Sequence, residues 1–263
     1  MKTKKETFAS LMEAFKFKYD LSVVFDDFLT LSMCAVTPKL GAGVSHYEDL
    51  YMETIKKYAT DELRHNFPKM FATLIVEMEE MPDIGGDVLG DYYEQHLAKK
   101  NISQFFTPWP ICEFMAKCTI EETETKEGPL RILEPACGSG RLLLASAKEA
   151  GPHNEFYGID VDHVCVKMTT LNLFLNGVFN AEVMCGDALA PDDFRISYRI
   201  SMFPLGIFRI EEKEKSRLWN LMKNTLEANR KEAEEKKHTF ADVKLPSQSG
   251  ESPNAAVSQL QLF

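Results

Sequence analysis

Residues 130–140 read Leu130-Arg131-Ile132-Leu133-Glu134-Pro135-Ala136-Cys137-Gly138-Ser139-Gly140, and a helix-forming run over residues 141–150 follows. A short apolar strand thus enters a glycine-bearing turn from which a helix departs. The glycines permit positive φ and let a ligand approach backbone that carries no side chain. The start of the following helix offers free N–H groups to polar ligand atoms. Glu134, at the end of the strand, adds a carboxylate that a phosphate site would avoid. A cationic or zwitterionic nucleoside suits this combination better than a di- or triphosphate. S-adenosylmethionine, with its sulfonium and amino-acid tail, fits the description.

Outward from the turn, the pattern alternates between strands and helices, the signature of a parallel α/β sheet. Strand one is residues 131–134 and strand two is Phe156-Tyr157-Gly158-Ile159-Asp160, followed by a helix over about residues 162–176. Strand three is Glu182-Val183-Met184-Cys185. The apolar run over residues 196–210 reads as one further strand, interrupted at Pro204-Leu205-Gly206. The fold class expected is α/β, a partial Rossmann-like sheet preceded by a helical N-terminal domain.

Upstream, Phe8, Leu11, Met12, Phe15 and Tyr19 recur at helical spacing. Residues 47–58 form another amphipathic stretch, and Pro68 is placed to start a helix through Met78. The boundaries drawn are a helical N-terminal domain over 1–100 and a Rossmann-like domain over 101–210. A charged helix over 211–237 and a polar, Ser- and Pro-rich tail over 238–263 follow. The N-terminal part reads as a cap packed on the neighbouring domain, with a DNA-reading role as the alternative.

Composition bounds the function classes. The 263 residues carry a formal net charge of −10, which argues against a generally basic DNA-coating protein but not against a local basic face. Six cysteines (Cys34, Cys112, Cys118, Cys137, Cys165 and Cys185) are scattered without a Cys-x-x-Cys pair, so they read as reduced thiols of a cytoplasmic protein and not as a zinc or disulfide framework. No apolar run approaches the roughly 18 residues of a membrane span, and the N-terminal charges lack the apolar stretch of a signal peptide.

Two more acidic positions follow the turn at the ends of successive strands. Asp160 closes strand two, where a nucleotide-binding α/β fold places the acid that holds ribose hydroxyls. Asp187, in Gly186-Asp187-Ala188-Leu189, closes strand three, beside where an adenine would lie. Upstream stands Gln104-Phe105-Phe106-Thr107-Pro108. With Glu134-Pro135-Ala136-Cys137-Gly138-Ser139-Gly140, Asp160, Asn172-Leu173, Asn176-Gly177 and Gly186-Asp187 in this order, the chain resembles the N6-adenine DNA methyltransferases, in particular modification subunits of type I restriction systems. Asp87-Val88-Leu89-Gly90 with Tyr93-Glu94 resembles the segment that precedes Gln-Phe-Phe-Thr-Pro in those subunits. The resemblance covers about residues 45–190. It implies S-adenosylmethionine as cofactor, with Phe106, Thr107 and Pro108 at its methionine end. Glu134, Ala136, Gly138 and Gly140 would line the same pocket, Asp160 would hold the ribose and Asp187 would edge the adenine. It also implies DNA as substrate and a specificity or other partner subunit.

The family carries its chemistry on an Asn/Asp-Pro-Pro-aromatic segment that accepts the two amine hydrogens of a flipped adenine and stacks on the base. This sequence has no such tetrapeptide. Its nearest positional counterpart is Ser201-Met202-Phe203-Pro204-Leu205-Gly206, in which Phe203 is the candidate for stacking. Further strands of a seven-stranded sheet and a target-recognition domain are likewise absent from these 263 residues. Cofactor binding and methyl transfer are therefore separate expectations. The last residues, Gln259-Leu260-Gln261-Leu262-Phe263, resemble the Gln-Leu-x-Leu-Phe peptide that docks on the bacterial β sliding clamp, with Gln259, Leu260, Leu262 and Phe263 as contacts. Two other readings stand beside the first. One is a catalytically inactive DNA-associated adaptor that docks through this peptide; the other is a small-molecule or protein methyltransferase.

Overall fold

A computed structural model describes residues 6–38, 44–81, 86–98, 105–121, 128–190 and 192–241. Gln104 and the clamp-like peptide with Gln259, Leu260, Leu262 and Phe263 lie outside the described residues. The chain divides into two compact units, Met1–Met222 and Lys223–Phe263.

Short polar side chains set the helix starts. Thr7 and Ser10 form a reciprocal capping box at α1 (Phe8–Glu13), and Asp20 accepts from the Ser22 amide at the head of α2 (Leu21–Ala35). Then come α3 (Val44–Lys56) and α4 (Asp61–Glu79). The sequence places the start of this last helix at Pro68, but the helix begins seven residues earlier, at a Thr60 cap backed by Asp61 and Glu62 in the first turn. Pro68 is accommodated inside it. Leu63, Phe67, Met70, Leu74 and Met78 keep one buried stripe on both sides of the proline, and that burial offsets the roughly 3 kcal/mol that an interior proline costs.

After α5 (Val88–Tyr92) a π-helical turn spans Tyr93–Leu97, and α6 (Trp109–Glu121) leads to the sheet. Strand β1 (Arg131–Glu134) enters the glycine turn and α7 (Arg141–Ala150) leaves it. Strand β2 (Glu155–Asp160), α8 (His163–Leu175) and β3 (Ala181–Gly186) repeat the unit. These three strands are parallel and adjacent in chain order. The run over 196–210 is not one strand but a hairpin, β4 (Phe194–Met202) and β5 (Leu205–Ile210), paired antiparallel to β3 and to each other. The α/β sheet is therefore mixed and five-stranded. Its last helix is α9 (Arg217–Ala241).

One continuous core joins the N-terminal helices to the sheet layer. Phe8, Phe25, Phe28 and Leu89 pack in the same cluster as Cys165, Met168 and Leu171 of α8. Polar ties reinforce it: Lys167 of α8 donates to Asp26 of α2 at 2.7 Å, and buried Asp27 accepts from Lys57 and Tyr58. Leu218 and Trp219, in the first turn of α9, pack with Tyr157, Ile159 and Met184 of the strands. No helix among the described residues is long and apolar enough to cross a membrane.

Candidate functional site

The carboxyl ends of β1 and β2 frame a cavity of about 650 Å³. Its floor is the glycine turn. The Cys137 amide donates to the Ile159 carbonyl of β2 at 2.8 Å, and the Gly140 amide closes the turn onto the Cys137 carbonyl at 2.8 Å. Gly138 takes φ 55° and Gly140 φ 92°, conformations for which glycine is the low-cost residue. Strand β2 and α8 hold the loop. Asp160 accepts from the Gly138 amide at 2.8 Å, while the Thr169 hydroxyl donates to the Gly138 carbonyl at 2.9 Å.

Asp160 uses its second oxygen to accept from the Asp162 amide at 2.9 Å, which starts α8. Glu134 turns back onto its own loop and accepts from the Ala136 amide at 3.2 Å. Both carboxylates line the cavity, and burial raises both pKa values above their ordinary range; the backbone amides only partly offset it. A pocket floored by two desolvated carboxylates gains most from a ligand that brings positive charge or hydrogen-bond donors. Among the described residues no cluster of His, Cys, Asp and Glu has the arrangement of a metal site.

Of the residues singled out from the sequence, Phe106, Thr107, Glu134, Ala136, Gly138 and Asp160 line the cavity together. Phe106 is buried and its ring fills the space that a Cβ on Gly138 would occupy, whereas its neighbour Phe105 is 85% exposed at the mouth. Pro108 lies off the lining and starts α6, its carbonyl accepting from Ile111 and Cys112. Gly140 is the cap of α7, packed on Thr169. Asp187 is not in the lining either. Its carboxylate caps the following turn by accepting from Leu189, and its amide is held by Asp193.

Phe203 falls at the wrong end of the sheet. β4 runs antiparallel to β3 with Ile200 opposite Ala181, so the hairpin tip emerges where the parallel strands begin. The cavity sits where they end. Phe203 is 87% exposed there, beside exposed Met202 and Leu205, and cannot stack on a group held in the cavity.

The sequence reading missed the polar knot behind the turn. Asp87 is buried and accepts from the Gly90 amide, the Ser139 hydroxyl, the Arg141 guanidinium and the Asn172 amide. Asn172 also donates to the Ser139 carbonyl at 2.8 Å. An arginine immediately after Gly-Ser-Gly, with an aspartate opening the upstream helix, is the one local signal of this contact.

A family model for N-6 DNA methylase matches residues 85–215. The chain is 26% identical over 166 residues to the type I restriction enzyme MpnII methylase subunit of Mycoplasma pneumoniae, covering 58% of this chain and 30% of that protein. It is 32% identical over 117 residues to the type I restriction enzyme MjaVIII methylase subunit of Methanocaldococcus jannaschii, covering 41% of this chain and 19% of that one. The type II methyltransferase M.BanIII of Aneurinibacillus aneurinilyticus is 30% identical over 128 residues, 45% of this chain and 21% of its own length. Among solved structures, a type I restriction-modification methyltransferase subunit from Streptococcus thermophilus superposes with a TM-score of 0.37 at 20% identity, over 70% of this chain and 40% of that one. The chain thus spans less than a third of the length of these curated relatives.

Proposed function

Because the chain belongs, through residues 85–215, to the N-6 DNA methylase family, we propose that it binds S-adenosylmethionine between the ends of β1 and β2 and serves methylation of adenine N6 in DNA. The observation that carries this reading is the pair of half-buried carboxylates, Glu134 and Asp160, in the lining of a cavity about 650 Å³ in volume. The fit is chemical as well as spatial. A sulfonium and an ammonium group supply the positive charge that two desolvated carboxylates lack. The volume lies within the range of small-ligand sites, roughly 300–1,000 Å³.

The cofactor, when bound, supplies an electrophilic methyl group. The chain's own residues do the holding. Asp160 fixes the Gly138 amide and keeps the turn open toward the cavity. Phe106 and Thr107 form part of the cavity wall, and the Phe106 ring packs against Gly138 of the turn. Stacking on the adenine is not assigned to Phe203, because of where the hairpin ends. Association with further subunits goes with this reading, since two of the relatives are themselves named as methylase subunits. A cytoplasmic setting also goes with it, where DNA and reduced thiols coexist.

Isothermal titration with S-adenosylmethionine tests the binding half: saturable one-site binding is expected, and its absence would overturn the reading. Tritiated-methyl transfer to unmethylated DNA, with and without a candidate partner subunit, tests the second half. Label arriving in protein or a small molecule and not in DNA would reassign the substrate.

A further inference from the structure

Arg141 is the first residue of α7 and is almost fully buried, yet it carries a full charge. Burial opposes that charge, and three carboxylates outweigh the burial so that the guanidinium pKa is raised. Its Nε donates to Asp87 at 2.6 Å, one terminal nitrogen pairs with Asp91 at 2.8 Å and the other with Glu94 at 3.0 Å. Its Cζ also lies over the Phe106 ring, 5.6 Å from the ring centre.

These contacts have an uneven geography. Asp87, Asp91 and Glu94 come from the helical segment before the sheet, Phe106 from the cavity wall and Arg141 from the end of the glycine turn. Glu94 closes the circuit: one oxygen takes Arg141 and the other accepts from the Phe106 amide at 2.8 Å. Phe106 in turn is the ring against Gly138. A chain of charge-assisted bonds therefore runs from the glycine turn through Arg141 and Glu94 to the backbone of the facing wall. Such bonds are short, directional and about twice as strong as neutral ones.

We infer that Arg141 and Glu94 are positioning residues for the methyl-donor pocket: they set the distance between the Gly138 turn and the Phe106 wall, and so make pocket geometry depend on how the helical segment 86–98 is seated. The inference rests on the donor pocket proposed above for its ligand, but not for its geometry. A bolt that only tied the turn to the helical segment would need only the Asp87 end. The Glu94 arm adds a connection whose far end is the cavity wall.

Glu94→Ala and Glu94→Gln separate the two roles. Glu94 is 26% exposed, and Arg141 keeps Asp87 and Asp91 in either variant, so both are expected to fold with a melting midpoint near that of the parent. Glu94→Ala removes the acceptor of the Phe106 amide. S-adenosylmethionine should then bind about tenfold more weakly, the scale of one lost charge-assisted hydrogen bond, and hydrogen exchange at Phe106 and Thr107 should quicken. Glu94→Gln retains an amide oxygen for Phe106 and should recover slow exchange and most of the affinity. Arg141→Lys, which cannot span the fork, should quicken exchange in the turn as well as in the wall.

Unchanged exchange at Phe106 in Glu94→Ala would overturn the positioning role, whatever the ligand does. Quickened exchange with unchanged donor affinity would show that the bolt does not shape the pocket and would overturn it equally. If the parent chain binds no S-adenosylmethionine, the functional reading fails alone, and the exchange comparison still decides the geometric claim.

Discussion

Glu134 and Asp160 are charged groups in a place that resists charge. Burial lifts Glu134 above its ordinary 4.5 and Asp160 above its ordinary 3.8. With folded pKa values above the unfolded ones, the stability they contribute is complete below the unfolded pKa and is lost as pH rises through the folded one. A chain without ligand is therefore expected to lose some stability as pH climbs from about 4 through the raised values. A cationic ligand responds in the opposite sense, since the ionised carboxylates hold it, and its affinity should rise across the same window. Calorimetric melts and binding titrations over a common pH series check both slopes; parallel slopes would refute the account. Glu134→Gln isolates one of the two groups. The amide keeps an oxygen for the Ala136 N–H and removes the half-buried charge. Its melting midpoint at neutral pH should equal or exceed that of the parent, while S-adenosylmethionine affinity falls about tenfold, roughly 1.4 kcal/mol.

At the scale of elements, the turn between β1 and α7 works because two positions lack a side chain. Gly138→Ala would place a Cβ 2.8 Å from a Phe106 ring carbon, on a backbone with φ 55°. The left-handed conformation alone costs about 1–2 kcal/mol for an L-residue, and moving the ring adds to that. Urea denaturation should show a loss of about 2 kcal/mol or more, together with a weakened donor site; a loss below about 0.5 kcal/mol would mean that Phe106 is not held against the turn. This turn was legible in the sequence because everything that makes it is local: an apolar run, glycines and a helix-forming run in order. The three parallel strands and their crossover helices were legible for the same reason. The hairpin was not. Ile196 to Met202 and Leu205 to Ile210 are both apolar enough to continue one strand, and only the pairing of Met202 with Leu205 across Phe203-Pro204 turns the chain back. That reversal carried Phe203 away from the site. Asp87 was hidden by distance along the chain, since its partners Ser139, Arg141 and Asn172 lie 52, 54 and 85 residues away. Local pattern shows a capping aspartate there; it does not show that the cap is also the anchor of the glycine turn.

For the molecule as a whole, the question is whether the helices before the sheet are an attachment or part of the same cooperative structure. Their apolar stripes leave no separate core to themselves: Phe8, Phe25 and Phe28 share one cluster with Cys165, Met168 and Leu171 of α8, whose other residues Val166 and Leu173 pack with the strands. A buried lysine, Lys167, joins the same two layers through Asp26 and Thr30. Helix α8 is thus shared by both sides, buried almost all round, and cannot remain in place if either side leaves. Phe28→Ala probes this coupling far from the cavity. Phe28 is fully buried, with its ring 5.0 Å from that of Phe8, and deletion of such a ring costs about 3–5 kcal/mol. The loss should shift a single transition, seen alike by far-ultraviolet dichroism, by tryptophan fluorescence from Trp109 and Trp219 and by release of S-adenosylmethionine. Two separated transitions, with the sheet and its ligand outlasting the helices, would show that the helical layer folds independently. The Arg141 bolt would then be joining two bodies, not bracing one. A single transition displaced by several kcal/mol would instead make the seating of residues 86–98 a property of the entire unit, so that a contact made anywhere on the helical layer reaches the glycine turn through packing that has one stable arrangement.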